Sequence, residues 1–177
     1  MTSTDTIPET LTSERADLLE SLARHRFFLR FPARDLTDEQ ARQRTTASEL
    51  TIGALIKHVT LVERNWARFV VEGPSGLPNA EDPEALAAHG DSFRLTDDET
   101  LAGALAAYDE VAATTDELVR ALPDLDVSHP LPPAPWFKPG ARWSARRVFL
   151  HVIGETSQHA GHADIVREAL DGAKSMG

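Results

Sequence analysis

Glu155 and His159 stand four residues apart in a stretch whose apolar residues Val148, Val152 and Val166 recur at helical spacing. At 3.6 residues per turn all five share one helix face. A second apolar stripe, Leu55, Val62 and Phe69, is interrupted by His58. A carboxylate taken out of water without a partner is heavily penalised, so Glu155 must reach solvent, pair with a cation or bind a metal ion. Residues four apart on a helix lie one above the other, so Glu155 and His159 can grip a single ion, and His58 on a neighbouring helix is the best candidate for one more ligand. The competing reading makes His58 a hydrogen-bonded core histidine and leaves Glu155 and His159 lining a solvated groove. Two imidazoles and one carboxylate would leave positions on the ion for water or substrate. That is a catalytic arrangement more than a structural one, because structural zinc sites normally close with four protein ligands. Zinc is the first choice of metal, and nickel, iron or manganese suit the same donors.

Other polar residues flank this triplet. His162, one turn beyond His159, is expected as a catalytic proton donor, with a supporting partner or an alternative ligand as its other roles. His151 falls away from the Glu155 stripe and is expected to pack on a neighbouring helix or face water, while His25, His89 and His129 read as surface or loop residues. Arg146 and Arg147 open a helix, where positive charge opposes the dipole. Either one is held by an acidic partner or kept for an anionic substrate, or both are solvated. Trp66, Trp136 and Trp143 are expected to pack, with the lining of a pocket as the alternative.

The elements that must position these groups are four amphipathic helices. The first runs from Leu11 to Phe31 and ends before Pro32, because the residue preceding a proline disfavours helical geometry. A stub follows from Asp38 to Arg44, opened by the capping box of Thr37 and Gln40. The second long helix takes Thr51 as N-cap and stops at Gly73-Pro74. A loop-like segment from Gly73 to Leu95 holds a short helix near Glu84 to His89. The third long helix is expected to begin at Thr96, boxed with Glu99, and to end near Leu122. Pro130, Pro132, Pro133, Pro135 and Pro139 exclude regular helix from residue 123 to 142, and no strand pattern stands out. The fourth takes Ser144 as N-cap and ends near Leu170, with Gly172 as C-terminal cap. The expectation is an all-α four-helix bundle with long crossover connections, built as one domain over residues 1–177.

Composition narrows the function. The formal charge of −10 argues against a sequence-independent grip on nucleic acid, which needs clustered Lys and Arg. No stretch is apolar over the roughly 20 residues needed to span a bilayer, and Met1 to Glu9 lacks the basic and apolar parts of a signal peptide. A cytoplasmic protein without membrane or nucleic-acid partners is expected. Cysteine is absent, so any thiol chemistry must use a thiol brought by a substrate or cofactor.

The segments from Leu55 to Arg64, from Trp143 to Arg147 and from Glu155 to Glu168 resemble the DinB/YfiT-like superfamily of metal-binding four-helix bundles. Members typically ligate a divalent ion through a histidine on the second helix and an H-x-x-x-H pair on the last. Glu155 replaces the first histidine of that pair, a departure similar to the mycothiol-dependent maleylpyruvate isomerase branch. The resemblance implies a metal-dependent S-transferase or isomerase in which a low-molecular-weight thiol, mycothiol, attacks a small-molecule electrophile. A metal-dependent hydrolase and a non-catalytic metal- or small-ligand-binding protein are the alternatives, and a homodimer is left open.

Overall fold

A computed structural model describes residues 11–79 and 82–175 of the protein. The expectation for Met1 to Glu9 lies outside them. Local capping chemistry sets most of the helix starts. Helix α1 (Ser13–Arg30) opens on Thr12, whose hydroxyl accepts from the Arg15 amide, and gives way at Pro32 to a single tight turn over Phe31–Ala33. In α2 (Asp38–Arg42) both bonds of the Thr37/Gln40 capping box are made. Thr51 caps α3 (Ile52–Glu72). That helix ends at Gly73, which has a φ of 68°, and a Cβ there would come within 2.9 Å of the His129 ring. Only glycine meets both conditions without strain. The short helix α4 spans Pro83–Asp91, and α6 (Ala145–Asp171) starts on the Ser144 cap and stops at Gly172, with a φ of 81°.

Two expectations are corrected. The third long helix, α5 (Leu101–Ala121), begins after Thr96, with Thr100 as its N-cap. The Thr96 amide does donate to the Glu99 carboxylate, but Glu99 is also drawn to Lys57, Arg42 takes the Thr96 carbonyl, and Asp38 accepts from the Leu101 amide. These long-range contacts hold residues 96–100 as a turn. The proline-rich connection also contains a small antiparallel ladder, in which β1 (Ser128–Pro130) pairs with β2 (Arg142–Ser144) and His129 lies opposite Trp143. Three residues per strand are too few to leave a period-two pattern in a sequence.

The four long helices close into a bundle, with α6 against α1 and α3, and α5 against α3 and α1. One apolar cluster joins Leu22, Phe69, Val119, Phe149 and Val152, and another joins Leu29, Leu55, Val59, Tyr108 and Ala163. Each large side chain fully withdrawn from water contributes roughly 1.5–3 kcal/mol relative to leaving it exposed. Among the described residues no helix is long and apolar enough to cross a membrane.

Charge is nevertheless built into this core. Arg26, 3% exposed, reaches from α1 to Glu63 on α3, which is 0% exposed, and to Asp116 on α5 at 2.7 Å. Burial and the Glu63 charge push the nearby Tyr108 hydroxyl above its ordinary range. Removing one partner of a buried pair leaves an uncompensated charge, which typically costs about 3–5 kcal/mol, whereas replacing both with apolar residues of similar volume is often neutral. Arg26→Ala is therefore expected to lower the urea-unfolding free energy by about 3–5 kcal/mol, and the double variant Arg26→Met/Glu63→Leu to lose far less. Equal losses in the two proteins would show that packing, not charge, dominates here.

Candidate metal centre

His58 is 6% exposed on the buried seam of α3. Its Nδ1 lies 3.1 Å from the Ser92 hydroxyl oxygen, and that hydroxyl donates its own proton to the His89 carbonyl at 2.6 Å. The serine oxygen is thus left to accept, which fixes the His58 proton on Nδ1 and leaves a lone pair on Nε2. Phe93 stacks on the ring at 4.3 Å. Burial, together with the neighbouring His159 and His89, lowers the His58 pKa from 6.5 to about 4. At neutral pH this imidazole is uncharged and able to donate its lone pair.

From α6, the His159 ring approaches that of His58 to 5.0 Å. His159 Nε2 lies 3.7 Å from Glu155 Oε2, too far for a hydrogen bond. On its other side His159 Nδ1 is 3.3 Å from His162 Nδ1. A proton held by His159 on that side leaves its Nε2 lone pair towards Glu155. Burial, and after it the neighbouring His162, lowers the His159 pKa. Glu155 is 29% exposed, less withdrawn than the sequence pattern implied, and none of the described residues donates a hydrogen bond to its carboxylate within 3.5 Å. One ligand-type atom from each of His58, Glu155 and His159 lies within 4.8 Å of the other two. Two neutral imidazoles and a carboxylate, converging without hydrogen bonds between them, fit a divalent cation of borderline character.

The surroundings depart from the sequence reading in several places. His162 touches His159 but stands outside the converging triplet. His151 packs against Trp66 of α3, as expected, yet its Nε2 also lies 3.7 Å from Glu155 Oε1, so it borders the site it was set apart from. Its spacing of one turn from Glu155 carried that signal. His89 is exposed as expected, but α4 folds back and brings its ring within 5.9 Å of His58. His129, read as a loop residue, sits in β1 with Nε2 3.2 Å from the Val70 carbonyl oxygen. Arg146 is bound by Glu14 and Asp126, while Arg147 lies 4.1 Å above the Trp143 ring. Ser92 was not singled out at all, since a serine after a short helix carries no mark of the imidazole it orients.

A family model described as Mycothiol-S-transferase matches residues 17–172, from the first turns of α1 to the glycine that caps α6. No curated protein matches the chain. The family match agrees with the wider DinB-like resemblance, and the isomerase branch is a finer distinction than it draws.

Two outcomes are expected from this geometry. Ser92→Ala removes the acceptor that orients His58, and loss of such a partner typically weakens metal affinity 10–100-fold. Competition with a chromogenic chelator should read that loss while circular dichroism stays unchanged. The second concerns pH. His58 has a folded pKa of about 4 against an ordinary 6.5, so the unfolded chain binds the proton more readily. In metal-free protein this contribution to stability is complete above pH 6.5 and is lost as the pH falls towards 4. His58→Gln should flatten the stability profile across that interval, and an unchanged slope would show that burial does not hold this imidazole neutral.

Proposed function

The chain belongs to the mycothiol-S-transferase family, and we propose on that footing that it transfers the sulfur of a low-molecular-weight thiol, mycothiol, to a small electrophile. One divalent cation is held by His58, Glu155 and His159, zinc being the first choice and nickel, iron or manganese suiting the same donors. The observation that carries this reading is the convergence of three ligand atoms from two facing helices within 4.8 Å. When bound, such a cation supplies a Lewis-acidic centre that favours the thiolate form of a thiol near neutral pH.

The side chains divide the remaining work. His58 and His159 stay neutral because they are buried, and so remain donors. Glu155 offsets part of the cation's charge. His162 stands beside His159 and accepts its Nδ1–H, which holds the His159 tautomer, while the proton released as the thiol S–H bond breaks passes to solvent water. The sulfur electron pair then forms the bond to the electrophilic carbon, and the leaving group departs with the pair of the bond it loses. The thiol must come from outside, because the chain contains no cysteine. A reduced thiol as cosubstrate is in keeping with a cytoplasmic setting.

Glu155→Gln keeps the shape and removes the charge. Metal retention is expected to weaken by about tenfold or more, as measured by elemental analysis after dialysis, and thiol consumption should fall with it while the helical signal remains. Glu155→His restores two imidazoles four apart and should retain metal. In cobalt-substituted protein, added thiol should produce sulfur-to-metal charge-transfer absorption, and no protein thiolate can contribute to it. Silence at saturating thiol would turn the assignment towards a hydrolase or a binding protein. Unchanged metal content in both Glu155 variants would remove this residue from the site.

A further inference from the structure

A cavity of about 740 Å³ opens beside α3, starting one helical turn beyond His58. Val62 and Trp66 wall it from α3, Leu77 from the segment that follows, and Trp136 and Phe137 from the connection that precedes α6. Val62 lies one turn beyond His58 on the same helix. His89 lines the cavity as well, and its ring is 5.9 Å from that of His58. Trp66 is fixed by stacking on Trp143 at 4.7 Å and by His151, which in turn lies 3.7 Å from Glu155. The triplet does not itself line this space, but His89 and Trp66 stand between the two, His89 against His58 and Trp66 against His151.

The lining is notable for its charge. One quarter of the chain is charged, at 26% of residues, yet among the described residues no Asp, Glu, Lys or Arg lines this cavity. Its polar surface consists of two asparagines, a serine and His89. Taking an anion into such a lining would leave the charge unpaired and is heavily penalised. Aromatic surface, by contrast, is abundant. Trp136 is 71% exposed at the cavity, with Phe137 edge-on to it at 6.0 Å. An indole so placed gains both buried area and stacking geometry from a flat partner. The nearest arginine stacked on this aromatic group, Arg147, covers Trp143 and is not part of the lining.

We propose that this cavity binds an uncharged, planar aromatic molecule of one or two rings, and that this molecule is the electrophile. The identity of the occupant as electrophile rests on the transferase reading. Its binding does not. The volume lies within the range of about 300–1,000 Å³ typical of small-molecule sites.

The chain's three tryptophans give a direct readout, since Trp66 and Trp136 line the cavity and Trp143 stacks on Trp66. The full-length protein, without thiol, is titrated with 2,4-dinitrotoluene, which is neutral and inert to thiols, and in parallel with 2,4-dinitrobenzoate. Saturable quenching by the neutral probe is expected, with binding at least about tenfold tighter than that of the carboxylate. Trp136→Ala, at a position 71% exposed, should weaken the neutral probe several-fold with circular dichroism unchanged. Tighter binding of the benzoate, abolished by Arg147→Gln, would overturn the proposal in favour of an anion site. Non-saturable quenching, or binding indifferent to Trp136→Ala, would overturn it as well. Adding mycothiol and 1-chloro-2,4-dinitrobenzene then separates the two readings. Neutral-selective binding without thiol consumption keeps the cavity assignment and sinks the transferase, whereas consumption that survives Trp136→Ala unchanged keeps the transferase and sinks the cavity as its acceptor site.

Discussion

Two imidazoles held neutral by burial face a carboxylate that none of the described residues hydrogen-bonds, and the packing of α3 against α6 keeps these three groups together. Lone pairs that converge without a proton between them repel one another. A cation would complement them, and would need donors that do not drift. The helices meet that need. His58 is anchored along a seam buried against α5 and α6, and Glu155 and His159 are separated by one turn of a single rigid helix. The Ser92 hydroxyl then removes the last freedom, the choice of tautomer, by spending its own proton on the His89 carbonyl.

The same division between rigid scaffold and covering segments extends outwards. Helices α3 and α6 supply the donors, whereas the two long connections supply what surrounds them. The segment after α3 contributes His89, Ser92 and Phe93, and the proline-rich segment before α6 contributes Trp136 and Phe137. The β1–β2 ladder explains how a proline-rich connection can be held in place. It pins residues 128–130 to the start of α6, and His129 ties the ladder back to the Val70 carbonyl and against Gly73. An apolar bundle core sets the spacing of the helices, and the buried Arg26–Glu63 pair adds a directional contact between α1 and α3 that apolar side chains cannot provide.

Much of this was already legible in the sequence, because it depends on interactions that span only a few residues. Thr37 and Gln40 complete their box, Thr51 and Ser144 cap the helices that carry the donors, and Gly73 and Gly172 end them, each through bonds made within one turn. Helical periodicity likewise placed Glu155 and His159 on one face and His58 within an apolar stripe. The same local logic failed at Thr96. Its box with Glu99 is half made, but contacts from Lys57, Arg42 and Asp38 delay the helix to Leu101.

The sequence by itself thus determined the helices, most of their ends and the three residues able to share an ion, since a repeat of 3.6 residues and a cap are properties of neighbouring positions. Only the tertiary structure decided that Ser92 orients His58, that His89 and His151 border the centre and that an uncharged aromatic cavity lies beside it. These are contacts between segments far apart in the chain, made when the connections fold back over the bundle. No local pattern encodes them, because the energy that fixes them comes from burial against a surface that exists only once the helices have packed.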